Sequence, residues 1–109
     1  MASPSEMPGA APVAPLTLAA YQEGAVVSRT LLKRGGGTVT LFAFDEGQGL
    51  TEHSSPFDAF VLVLEGVMTL TIGGAPVLAA AGTVVRMPAN VPHALEAAGP
   101  CRMLLIMLK

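Results

Sequence analysis

GQGLTEHSSPFDAFVLVLEG (residues 47–66) and GTVVRMPANVPHALEA (residues 82–97) are the two stretches whose reading decides the fold. Each carries one histidine, His53 and His93, on a short strand-like run closed by glycine or proline. Between them, the apolar runs 67–72 and 77–80 flank Gly73-Gly74, a hairpin signature. The punctuation is regular: Gly47, His53 and Gly66, then Gly82, Pro88 and His93. Such a pattern describes a small β-barrel in which one histidine from each half points into a common cavity.

The flanking sequence keeps the same character. Residues 26–32 read as a strand, 33–37 as a loop, and 38–44 alternate, with Val39, Leu41 and Ala43 on one side and Thr40, Phe42 and Phe44 on the other. Further strands are expected over 50–53, 59–64, 83–87, 93–97 and 102–108. Glycine and proline fall too often for a long helix, so the fold class is all-β. The alanine-rich run 78–81 is confined by Pro76 and Gly82 and reads as strand too. Residues 1–15, MASPSEMPGAAPVAP, lack periodicity and read as a disordered Ala/Pro-rich tail, which leaves 16–109 as a single domain.

Composition narrows the function classes. Of 109 residues, 51% are apolar and only 13% charged, so some apolar surface is expected in a subunit interface. Residues 59–64 and 102–108 are apolar on both faces, which points to a homodimer. Net charge is −2 and the six Lys and Arg are scattered, which argues against nucleic acid. The uncharged stretch 66–85 approaches membrane-spanning length, but Gly73-Gly74-Ala75-Pro76 interrupts it, and no membrane segment is expected. The N-terminus has no basic region followed by an apolar run, so no secretory signal is expected. The lone Cys101 has no disulfide partner, and a reduced, buried thiol in a cytoplasmic protein is the expectation.

Chemistry concentrates at the histidines. Alternation along the chain sends His53, Ser55, Phe57 and Ala59 to one face, with Val61 and Val63 continuing it into the interior. Met87 precedes the turn that delivers His93, so these eight residues form the expected pocket. Two neutral imidazoles could hold a divalent transition metal if further ligands were supplied. Glu52 and Asp58 fall on the opposite face by the same alternation, and Asp58 is expected to accept backbone N–H bonds in a turn. Met68, Met87, Met103 and Met107 read as packing of an apolar core rather than as soft copper ligands.

The pattern resembles the cupin superfamily, and more narrowly its small single-domain bacterial members. Gly47, His53, Ser55, Ala59 and Gly66 stand where the first cupin motif, G-x5-H-x-H-x3-4-E-x6-G, has its framework and ligand residues. Gly82, Pro88, Asn90, His93 and Ala97 stand likewise along the second, G-x5-P-x-G-x2-H-x3-N. The resemblance implies a double-stranded β-helix, or jelly-roll barrel. It also implies metal ligation by His53 and His93, to zinc, iron, manganese or nickel, with Ser55 and Ala59 where a histidine and a glutamate would complete the set. A metal held by two imidazoles and water would be loosely bound. Two readings follow: a module binding a compact, partly apolar small molecule beside the histidines, or a metal-dependent oxygenase or isomerase. Whether the chain is an enzyme stays open on the sequence.

Overall fold

The computed structural model describes residues 6–109, so residues 1–5 of the expected tail lie outside the described residues. The strands are β1 (Val26–Arg34), β2 (Gly37–Phe44), β3 (Gly49–His53), β4 (Asp58–Glu65) and β5 (Val67–Ile72). They continue with β6 (Ala75–Ala80), β7 (Val84–Met87), β8 (His93–Ala97) and β9 (Cys101–Leu108). Two antiparallel sheets, ordered β1-β2-β9-β4-β7 and β3-β8-β5-β6, form the jelly roll that the resemblance implies. The expected loop at 33–37 shrinks to a tight turn, because Lys33 pairs with Thr38 and Arg34 with Gly37. Pro76 is tolerated in β6 because that strand is a sheet edge, where a missing N–H costs no ladder bond.

The core lies between the sheets. Phe44, Val61, Val63, Met68, Leu70 and Met103 are fully buried there. Their strands alternate in phase: Ala59, Val61 and Val63 face inward along β4, while Phe60, Leu62 and Leu64 face out. A second cluster forms on the outer face of the five-stranded sheet. Leu31, Leu41 and Ala43 are covered there by Ala19, with Leu18 and Tyr21 packed alongside.

That cover comes from the chain's own N-terminal segment, which Arg102 secures. Its Nε donates to the Ala19 carbonyl at 2.9 Å, and its guanidinium pairs with Glu65 at 2.9 Å and lies 4.2 Å from the Tyr21 ring centre. Tyr21 donates its hydroxyl proton to the same carboxylate; burial first, and then this bond, raises the phenol pKa well above its usual range. Upstream, Met7 N–H donates to Leu31 C=O and Glu6 pairs with Arg34. Leu32, Val84 and Leu108 remain exposed on this outer face at 40%, 61% and 50%. Among the described residues no helix is long and apolar enough to cross a membrane.

Candidate functional site

His53 and His93 are direct cross-strand partners of β3 and β8, as are Leu50 and Leu95. On β8 these residues are two apart and share a face by simple alternation. On β3 they are three apart, and a register shift between Leu50 and His53 turns both inward. The result is two imidazoles at one end of the barrel, Nε2 to Nε2 at 3.1 Å, with ring centres 4.3 Å apart and planes at 72°.

The other nitrogen of each ring is anchored. His53 Nδ1 lies 2.8 Å from the Thr51 carbonyl oxygen and His93 Nδ1 lies 3.3 Å from that of Val91. A carbonyl only accepts, so each Nδ1 donates to its carbonyl, and the two Nε2 atoms face one another at hydrogen-bond distance. His93 is only 6% exposed, and burial, followed by the neighbouring His53, lowers its pKa; the Val91 bond opposes this in part. His53 is exposed and stands at the rim. The 3.1 Å separation is that of an ordinary N–H···N hydrogen bond between the two rings.

The pair opens onto an enclosed cavity of about 70 Å³. Ser55, Phe57, Ala59 and Met87 line it, as do Leu50, Leu95, Met103, Leu105 and Met107. Ser55 bridges the two loops: its hydroxyl accepts the Phe57 N–H at 3.2 Å and its carbonyl accepts the Asn90 N–H at 2.7 Å. Asn90 itself has φ of 64°, a conformation that asparagine tolerates better than other side-chain-bearing residues. Val61 and Val63, expected in the pocket, are instead fully buried in the core and do not line it. They share the inward face of Ala59, but each step along β4 leads deeper, past the cavity floor and under the opposite sheet.

The carboxylates stay outside. Glu52 is exposed, and Asp58 accepts from Arg86 at 3.0 Å and from the Ala89 N–H at 3.2 Å. No group of three or more His, Cys, Asp or Glu is placed to share a metal among the described residues. Leu50, Leu95, Leu105 and the two β9 methionines escaped the sequence reading as wall residues. The available signal was the odd-numbered face of β9, Cys101 to Met107, but its partner register was needed to use it. A larger depression of about 340 Å³, flanked by Thr51, Thr69, Thr71 and Glu96, lies on the solvent side of the four-stranded sheet. It is open and holds neither histidine, so the smaller enclosed cavity is the better site.

A family model for the cupin domain matches residues 40–107. No curated protein matches the chain. Among solved structures, a conserved protein of unknown function from Streptococcus pyogenes is 34% identical, with a TM-score of 0.91, over 100% of this chain and 96% of that one. A Cupin 2 conserved barrel domain protein from Leptotrichia buccalis is 36% identical with a TM-score of 0.83, over 85% of this chain but only 45% of its own. A cupin superfamily protein from Desulfitobacterium hafniense is 26% identical with a TM-score of 0.88, over 94% of both chains.

Proposed function

The chain belongs to the cupin family, and from that premise we propose that it is a small-ligand-binding module centred on His53 and His93. The observation that carries this reading is the anchored pair: two hydrogen-bonded imidazoles converge, beside Ser55, on an otherwise apolar wall. A matching ligand hydrogen-bonds to the pair and lays an apolar body against Leu50, Phe57 and Leu105. The cavity is less than half the ~150 Å³ that accommodates benzene in an engineered protein, which favours a ligand of a few non-hydrogen atoms.

The divalent metal centre that the family implies fits this wall poorly. Two nitrogens about 2.0–2.1 Å from one ion and 3.1 Å apart would subtend about 100°, so the pair matches two adjacent coordination positions. Ser55 and Ala59 add no strong donor, and no carboxylate faces the cavity. A divalent ion here would be weakly held, and no step of an oxygenase or isomerase is routed through one. The apolar strip around Leu32, Ile106 and Leu108 supports a homodimer through the five-stranded sheet. The buried, unpaired Cys101 supports a reducing cytoplasm.

A ligand-observed NMR screen of small amines, alcohols and acids tests the reading. Hits on the wild-type protein are expected to lose affinity with His53→Ala and with His93→Ala. Unaltered affinity in both variants overturns it.

A further inference from the structure

The inward-facing pairs between β4 and β9 climb toward the mouth of the cavity. Val61 stands opposite Leu105, and Ala59 stands opposite Met107. The ladder closes with Asp58 opposite Leu108, whose side chains point outward by alternation. One step further, the same register sets Phe57 opposite Lys109 on the inward side. The side chains meet there: the Lys109 ammonium lies over the Phe57 ring, 5.7 Å from its centre. Phe57 lines the cavity, as do Ala59 and Met107 below it. The Lys109 N–H donates to the Gly36 carbonyl at 3.0 Å, which ties the backbone of that residue to the turn between β1 and β2. An exposed ammonium therefore stands at the rim of an apolar cavity.

No anion of the protein answers it. Among the described residues the ion pairs engage Arg34, Arg86 and Arg102, and none reaches Lys109. Asp58, next to Phe57 in the chain, is taken up by Arg86 and by the Ala89 N–H. Among the described residues no carboxylate lines the cavity either. The Phe57 face attracts the ammonium but supplies no counter-charge. A cation beside a low-dielectric wall is screened less than one in open water. Such a charge discriminates between an anionic ligand and a neutral ligand of the same shape.

We propose that the cavity takes a short-chain monocarboxylate, its hydrocarbon end among the apolar wall residues and its carboxylate at the rim against Lys109. This rests on the cavity being the binding centre, and it assigns the ligand's charge and the residue that selects it. The cavity's volume of about 70 Å³ limits the chain to a few carbons. The ammonium rides on a flexible four-carbon stem, so it follows acids whose chains differ by a carbon. Lys109 is exposed, so replacing it leaves the core intact.

The test titrates the full chain with unbranched acids from acetate to pentanoate and with the matching primary amides, which keep the shape and drop the charge. The NMR methyl signals of Met87 and Met107, which line the cavity, report binding there. The wild-type protein is expected to bind at least one acid more tightly than its amide, by about two- to fivefold at low salt. Added salt should shrink that preference. Lys109→Gln should equalise acid and amide, and Lys109→Glu should reverse their order, while the amide's own affinity holds in both variants. Equal binding of acid and amide by the wild type, an undiminished preference in Lys109→Gln, or no acid bound at all overturns the proposal. So does a parallel loss of acid and amide in the variants, which would mark Lys109 as a structural residue only. Amides that bind without any preference for acids, and are lost with His53→Ala and His93→Ala, remove the charge assignment and keep the pair as binding centre. Acid binding that depends on Lys109 but ignores both histidine variants keeps the charge assignment and removes the pair.

Discussion

Gly49 is where the site's geometry is most exposed to a single methyl group. A Cβ built there would lie 2.1 Å from the Leu95 carbonyl oxygen, 3.0 Å from its carbon and 3.1 Å from Glu96 Cα. Every one of these atoms is backbone, so no side chain can yield, and β3 must move off β8 by about an ångström to reach ordinary contact. Two hydrogen bonds next to the contact then stretch out of range: Gly47 N–H to Ala97 C=O at 2.8 Å and Ala97 N–H to Gln48 C=O at 2.9 Å. Each is worth about 0.5–1.5 kcal/mol net. Forced overpacking adds about 1–3 kcal/mol, and the lower chain entropy of alanine in the unfolded state returns about 0.4–1 kcal/mol. Gly49→Ala should therefore destabilise by about 3 kcal/mol, a large share of the ~5–15 kcal/mol typical of a domain. Urea unfolding should show a lower midpoint with an unchanged slope. Because His53 rides on the same strand, the His93 ring signals should shift toward those of an unpaired histidine. Gly35→Ala, where nothing lies within 4 Å, is the control and should cost little. A Gly49→Ala loss below about 1 kcal/mol would refute the close-approach reasoning.

Two further predictions concern the core and the outer face. Burial first, and then Glu65, raises the Cys101 thiol from its ordinary value near 9 to about 11. An acid raised in the folded state ionises first in the unfolded chain, so stability is complete below pH 9 and falls as pH rises from 9 to 11, by about 2 kcal/mol from this group. Tyr21, also raised, adds a loss of the same sign at higher pH. Cys101→Ala should flatten the alkaline limb of a stability–pH curve, and an unchanged limb would exclude the thiol as its source. Ile106 sits on the outer face between Val39 and Phe60 in register. Ile106→Glu should turn a dimer into a monomer in analytical sedimentation at micromolar concentration, and a wild-type protein that is already monomeric there refutes the interface.

The barrel was legible because its signals are local. Turn residues at Gly47, Gly73-Gly74 and Gly82, and alternation through residues 59–64, each act within a few residues, and a closed pair of sheets is the economical way to bury what lies between them. The outer cover was less legible. The apolar outer residues of β9 and β4 suggested only a twin subunit, yet Leu18, Ala19 and Tyr21 cover part of that sheet. That placement depends on Arg102, eighty-three residues from the carbonyl it holds.

What the chain determines unaided is the alternation of faces and the places where it must turn, because both follow from the sterics of adjacent peptide units. That was enough to send two histidines toward one cavity and to leave it short of carboxylates. Tertiary structure decided the remainder. The shift between Leu50 and His53 exists only in the pairing with β8, forty residues away, and it is what sets Leu50 on the same wall as His53. The placing of Met87 and Met107 on either side of Ala59 exists only in the register of three strands. Alternation gives a side chain its face, whereas depth and neighbours come from which backbone groups pair across the sheet, and residues distant in sequence set that pairing.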